Sequence, residues 1–140
     1  MDKWEKTFKT HEVIQKFPIE NGMEKENQYL YIKMPLFMTD RDLVKESITW
    51  NEYNGNPKNM LVYDKSIEDP KYPAKENPIR AEMIIGGMYL KEISEKETSI
   101  ILINHFDLKI TTGKSIVDKA APEKAKDFFP NLIKYIESLK

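Results

Sequence analysis

Residues 7–108 form a series of short strand-like segments separated by residues typical of turns. The clearest segment, residues 28–34, alternates strictly, with Leu30, Ile32 and Met34 on one face and two tyrosines and a lysine on the other. The other segments are residues 7–17, 43–50, 60–67, 79–93 and 99–108. Six strands in succession, with no helical period between them, predict an antiparallel sheet.

The last part of the chain has a different period, with apolar residues three and four positions apart. They are Ala121, Ala125, Phe128, Phe129, Leu132, Ile133, Ile136 and Leu139. This spacing predicts a long amphipathic helix that packs on the sheet, which makes the fold class α+β. Pro130 lies inside the pattern and predicts either a kink in one helix or a second helix that begins there.

Three segments have features beyond alternation. Gly86 and Gly87 interrupt a strand, which predicts a bulge, a bend or a close approach of a neighbouring strand. Residues 99–108 begin apolar on both faces, and we expect burial on both sides. Residues 68–78 hold three of the eight prolines and almost no aliphatic side chain, which predicts a long surface loop.

Composition narrows the class of protein. The 140 residues suit one domain, residues 1–140, and the net charge of -1 argues against a general nucleic-acid binder. The chain has no cysteine, so thiol chemistry and disulfides are excluded. Its longest apolar stretch is eight residues, whereas a membrane-spanning helix needs about 20. We expect a cytoplasmic protein, and no motif indicates a cofactor.

Few residues have the spacing of a catalytic or metal site. The two histidines, His11 and His105, lack any metal-ligand spacing, and we expect His105 to be a hydrogen-bonded histidine of the core or of a pocket. Asp40 and Asp42 flank Arg41, and we expect them to cap backbone donors and to balance charge.

Arg80 precedes an apolar strand segment, so its guanidinium is expected to be partly buried and to need a partner. Two interpretations are open. The first is an internal ion pair with Glu82 or an aspartate, and the second is a polar anchor inside a cavity.

Four motifs resemble the StAR-related lipid transfer (START) family. They are KWEKTF at residues 3–8, KMPLFMTDRDLV at 33–44, the stretch from 66 to 90 that contains PKYPAKENPIRAE and GGMYL, and FDLK at 106–109 followed by KSIVDKAAP. The resemblance implies a helix-grip fold, in which a curved antiparallel sheet of about six strands wraps around a long C-terminal helix. It covers the later part of the family's domain, and family members would have further elements before Trp4.

The resemblance also implies a function without chemistry. One lipid or other hydrophobic ligand would occupy an internal tunnel and be transferred or sensed, with residues 66–78 as a gate loop and the C-terminal helix as a lid. Sterol-type relatives have a facing acid and arginine in the tunnel, and choline-lipid carriers have an arginine on the same strand. The corresponding residues here are the neutral Gln28 and Ser47, which weakens a phosphatidylcholine assignment.

These inferences predict a set of ligand-binding residues. They are Gln28, Leu30, Ser47, Arg80, Glu82, His105, Phe128 and Leu132. The expected partners are a lipid of undetermined class and a transiently contacted membrane, without nucleic acid.

Two alternatives remain open. The first is an enzyme that uses the tunnel as a reaction chamber, with titratable groups around His105, Asp107 and Tyr29 or Tyr31. The second is an incomplete domain that acts as an interaction module, whose unpaired sheet edge another chain completes, for example in a homodimer.

Overall fold

The structure, a computed structural model, describes residues 8–35, 37–110 and 114–139, and the side chains of these residues except 8, 9 and 114–125. Thr7 of the first predicted strand and the side chains of Ala121 and Ala125 lie outside this description. The strands are β1 (Phe8–Lys16), β2 (Met23–Ile32), β3 (Arg41–Asn51), β4 (Asn59–Ser66), β5 (Ile79–Arg80), β6 (Glu82–Ser94) and β7 (Glu97–Asp107), and the helix α1 is Lys114–Ser138.

The described strands form one sheet in the order β1-β2-β3-β4-β6-β7, and each neighbouring pair is antiparallel. All six predicted strands are present. The segment predicted at 79–93 divides into β5 and β6, and the two-residue β5 pairs in parallel with the start of β3. The short β5 therefore closes the gap that β4 leaves beside the first residues of β3.

The predicted helix is present as one continuous element of 25 residues that includes Pro130. The alternative of two helices is therefore wrong. Among its described side chains, Phe128, Leu132 and Tyr135 are half-buried. Ile133 and Ile136 remain 54% and 46% exposed, so the buried stripe is narrower than the apolar pattern predicted.

Strand register defines two faces of the sheet. On the first, Leu30 lies directly opposite Leu43, and both pack with Ile32 and Met83 in the cluster of buried apolar residues. We call this the core face. Met34 and Phe106 pack against the same cluster. The other face, which we call the outer face, carries the alternate residues, such as Val44.

The two strand glycines of β6 allow close approaches. The ladder between β6 and β7 shifts register between Met83 and Ile85, which marks a bulge. A Cβ atom added at Gly86 would lie 2.5 Å from the sulfur of Met83, and one added at Gly87 would lie 2.5 Å from the carbonyl oxygen of Val62. The predicted close approach is confirmed. The bulge lies just before the glycine pair, between Met83 and Ile85, and the two glycines themselves pair in regular register with β7.

The expected burial of the residues 99–108 strand on both sides is wrong. Ile101 and Ile103, on the outer face of β7, are 54% and 55% exposed. Because β7 is an end strand of the sheet, its outer-face side chains have few neighbours to cover them. Runs of apolar residues at a sheet edge therefore do not by themselves indicate a central strand.

Candidate functional site

A band of polar residues crosses the core face of the sheet. Register places one row of residues directly opposite one another from β2 to β7, namely Glu26, Ser47, Asp64, Gly86 and Asn104. The adjacent row on β2, β3 and β4 is Gln28, Lys45 and Ser66. We call these two rows the polar band.

Apolar side chains lie on both sides of the polar band. On one side is the core cluster around Leu30 and Leu43. On the other side the register aligns Val62, Met88 and Leu102 across β4, β6 and β7. An apolar surface with a few placed polar groups is typical of a site for a small molecule with a long apolar body and one polar end.

A buried ion pair lies at the centre of the band. Lys45 Nζ is 2.8 Å from Asp64 Oδ2, and the two residues are only 4% and 9% exposed. The second carboxylate oxygen, Asp64 Oδ1, is buried and has no hydrogen-bond partner in the described part of the chain. Ser47 lies directly across the ladder from Asp64. Buried carboxylate oxygens usually have a partner, so this atom marks the band as a candidate contact for a ligand.

Three of the predicted binding residues lie on the core face. Gln28 and Ser47 are buried beside the ion pair, and Leu30 belongs to the core cluster. The Gln28 amide donates a hydrogen bond to the Glu26 carboxylate. Gln28 pairs with Lys45, and Ser47 with Glu26, so the amide and the hydroxyl expected to face each other are diagonal neighbours instead.

Arg80, Glu82 and His105 do not lie on the core face. Arg80 Nε and Nη2 donate to the two oxygens of Asp42 at 2.7 and 3.2 Å, so the internal ion pair is present, with Asp42 rather than Glu82 as partner. Glu82 instead accepts a hydrogen bond from Lys109 Nζ at 3.3 Å. His105 is exposed, because the register of β7 with β6 places it on the outer face. The expectation of a core or pocket histidine is therefore wrong.

Arg80 also fastens the proline-rich loop to the sheet. Its Nη2 atom donates to the carbonyl oxygen of Tyr72 at 2.8 Å, and the Tyr72 ring stacks on Tyr29 with centroids 4.8 Å apart. Burial, with the nearby Asp42 carboxylate as a smaller cause, raises the pKa of Tyr29 to about 12. The loop and Arg80 line a cavity of about 640 Å³ on the outer face. We call the contacts among Tyr29, Asp42, Tyr72 and Arg80 the loop latch.

The Asp-Arg-Asp motif joins the start of β3 to the C-terminal ends of β2 and β7. Asp40 accepts hydrogen bonds from the Tyr31 hydroxyl at 2.8 Å and from the Met34 amide at 2.9 Å. Arg41 is 4% exposed, and its Nε donates to the Leu108 carbonyl oxygen at 2.6 Å, while burial lowers its pKa. The structural interpretation of both aspartates is confirmed.

The groups considered for catalysis have separate partners. The hydroxyl of Tyr29 contacts Asp42, and Asp107 pairs with Lys109 at 2.7 Å. Hydrogen bonds from Lys109 lower the pKa of Asp107, and the charge of His105, two residues away on the same strand, is a smaller cause. The described residues also contain no group of histidine and acidic side chains arranged to hold a metal ion.

A second cavity, of about 420 Å³, lies over the outer face of the sheet. It is lined by Trp50, Leu61, Tyr63, Ile101, Ile103 and neighbouring residues of β6. Both of these cavities thus lie on the outer side, whereas the buried Lys45–Asp64 pair, Gln28 and Ser47 lie on the core face. Sequence reasoning missed the Lys45–Asp64 pair, because the register between β3 and β4, which makes these two residues neighbours, cannot be read from either strand alone.

The sequence matches the START domain family over residues 1–138. The chain therefore belongs to this family of lipid-binding and lipid-transfer domains. Solved structures agree on the fold: human STARD10 has a TM-score of 0.78 at 21% identity, and the alignment covers 97% of this chain and 54% of that one. Human StAR-related lipid transfer protein 5 has a TM-score of 0.81 at 19% identity, with 98% of this chain and 64% of that one covered.

The lipid transfer and protein localization domain of human StarD13 (DLC2) has a TM-score of 0.64 at 16% identity, covering 89% of this chain and 61% of that one. The chain thus spans between 54% and 64% of the length of these three structures. No curated protein matches the sequence. Together the matches establish the helix-grip fold. Among the described residues, no helix combines the length and the apolar character that crossing a bilayer requires.

Proposed function

We propose that this domain binds a single lipid or other hydrophobic ligand on the core face and transfers or senses it without chemical conversion. The observation that carries the proposal is the polar band, in which a buried Lys45–Asp64 pair lies between two apolar regions of one sheet face. A globular core alone gains little from a buried ion pair, because desolvation offsets most of the attraction. A ligand with one polar end gives the pair a function.

In this proposal the driving force is partition of the ligand's apolar body. Burial of apolar surface contributes about 25 cal/mol per Å², so a lipid leaves a bilayer only for a site of comparable apolar area. Gln28, Leu30 and Ser47 would contact the ligand from the sheet, and Phe128 and Leu132 would contact it from α1. We assign Arg80 to the loop latch, since its donors are engaged by Asp42 and by backbone carbonyls.

The proposal places the domain in the cytoplasm, where it contacts a membrane transiently. With 22 basic and 23 acidic residues, the chain lacks the charge excess that would hold it permanently on an anionic surface. Exchange at the membrane then requires the loop of residues 66–78 and α1 to loosen. The loop latch is the set of contacts that must break for the loop to move.

A pair of neighbouring substitutions on β7 tests which face holds the ligand. Leu102 is half-buried on the core face, and Ile103 is 55% exposed on the outer face. In an assay of fluorescent lipid transfer between vesicles, we expect Leu102→Trp to slow transfer at least fivefold because the indole occupies ligand space. Ile103→Trp, the matched control, should leave the rate within twofold. The opposite ranking would place the ligand in the outer-face cavity and contradict the proposal.

A second arrangement follows from the sheet edges, since β1 and β7 are its end strands in the described part of the chain. Two copies could pair through one of these edges. Light scattering of the purified protein decides between the arrangements: a concentration-independent monomer that still transfers lipid excludes edge pairing as a requirement.

A further inference from the structure

We infer that the Lys45–Asp64 pair is the subsite for the polar end of the ligand, and that it selects an uncharged lipid bearing a hydroxyl group. The inference rests on the proposed function and specifies its ligand class. Neither Lys45 nor Asp64 is at the two positions, Gln28 and Ser47, that the sequence predicted for polar contacts.

Asp64 has one carboxylate oxygen in a hydrogen bond and one without a partner among the described residues. Oδ2 accepts a hydrogen bond from Lys45 Nζ at 2.8 Å, whereas Oδ1 is buried and has no partner in the described residues. An unsatisfied buried acceptor costs about 1–3 kcal/mol in general, and more when it is charged. A donor brought by the ligand removes this cost, so a ligand with a hydroxyl hydrogen is favoured over one without.

The net charge of the pair decides which headgroups it favours. Lys45 already neutralises Asp64 at 2.8 Å, so the pair offers no net charge to a ligand. An anionic headgroup would meet the free carboxylate oxygen, and a cationic headgroup would place a second positive charge beside Lys45. A hydroxyl has neither disadvantage. It also both donates and accepts, which matches Asp64 Oδ1 on one side and the Ser47 hydroxyl across the ladder on the other.

Apolar residues lie on both sides of the pair. The apolar rows that start at Leu30 and at Val62 flank the band, so an aliphatic body bound on the core face would meet apolar side chains on either side of Asp64. The described core-face residues around the band include no aromatic cage of the kind that recognises quaternary ammonium groups. A choline headgroup is therefore disfavoured on the same geometry.

A series of probes that differ only at the polar end tests the inference. Oleyl alcohol, oleyl methyl ether, oleate and oleylamine are delivered from neutral vesicles, and the protein-bound fraction is measured by native mass spectrometry. We expect the alcohol to bind about tenfold or more tightly than the ether, because the ether has no hydrogen to donate to Asp64. Oleate and oleylamine should both bind more weakly than the alcohol.

A double substitution isolates the pair from the rest of the fold. Lys45→Met with Asp64→Leu replaces both charges by apolar side chains, a change that buried ion pairs often tolerate without loss of stability. This variant should bind the alcohol and the ether within twofold of each other. The matched control is Lys58→Met with Glu92→Leu, which removes an ion pair of 3.1 Å whose lysine side chain is 62% exposed, and it should keep the wild-type preference.

The outcomes separate this inference from the proposed function. Equal binding of alcohol and ether to the wild-type protein overturns the hydroxyl subsite and leaves lipid binding intact. Tightest binding of oleate or oleylamine also overturns it, since the pair would then recognise a charged group. Binding of none of the four probes overturns the proposed function itself. A preference that survives the Lys45→Met and Asp64→Leu double substitution shows that another group reads the hydroxyl.

Discussion

Replacement of Arg80 by methionine is the most direct test of how much the loop latch contributes to stability. The Asp42 and Arg80 side chains are 4% and 20% exposed, and Arg80 Nε lies 2.7 Å from Asp42 Oδ1. Removal of one partner from a buried pair costs about 3–5 kcal/mol, because the other charge stays buried without compensation. Since Arg80 is one-fifth exposed, we place the loss of the free energy of unfolding for Arg80→Met at the lower end, about 3 kcal/mol.

That loss is a large part of a total stability of about 5–15 kcal/mol. Urea unfolding followed by tryptophan fluorescence measures it as a lower midpoint at an unchanged slope. Arg80→Met with Asp42→Leu should recover most of the loss, because no unpaired carboxylate remains. Lys58→Met, at an exposed ion pair, should cost about 0.5 kcal/mol or less.

A loss below about 1 kcal/mol for Arg80→Met would refute the reasoning, since the guanidinium would then not be needed by Asp42. Lipid affinity separates the two roles considered for this residue. The latch predicts that the folded Arg80→Met variant keeps the wild-type lipid affinity. An affinity loss without a stability loss would make Arg80 a ligand anchor after all.

Two further predictions follow from single residues. The pKa of Tyr29 is about 12 in the folded state, against an ordinary value of 10.0, so the folded state favours the protonated phenol. The stability gained from this preference is complete below pH 10 and is lost as the pH rises towards 12. Unfolding measurements between these pH values should show a steeper loss for the wild type than for Tyr29→Phe, and parallel curves would contradict the assignment. Gly87→Ala should destabilise by about 1–3 kcal/mol, since its Cβ atom would lie 2.5 Å from the Val62 backbone oxygen. Gly86→Ala should cost less because its obstacle is the flexible Met83 side chain; equal thermal shifts for the two variants would count against this explanation.

The sequence predicted the strands well because alternation in half-buried strands survives in the amino-acid pattern. It could not separate β5 from β6, since the two-residue β5 is defined by its parallel pairing with β3 and not by any periodicity of its own. It also placed the residues 99–108 strand in the interior. Apolar content alone does not show whether a strand has neighbours on both sides, and that depends on topology.

The candidate site was predicted in part. Gln28, Leu30 and Ser47 share the core face because β2 and β3 pair in the expected antiparallel sense. His105 was assigned to the wrong environment because its strand turns it to the outer face. The Lys45–Asp64 pair was missed because a lysine in a strand is normally a surface residue. Only the register between β3 and β4 shows that the two charges are neighbours.

The measurement that tests the central claim most directly is native mass spectrometry of the protein as purified, combined with organic extraction and identification of what is released. The account predicts one lipid molecule per chain, recovered in stoichiometric amount and exchangeable with lipid added in vesicles. A protein that is reproducibly empty, and that takes up no lipid from vesicles while it remains folded, would contradict the account.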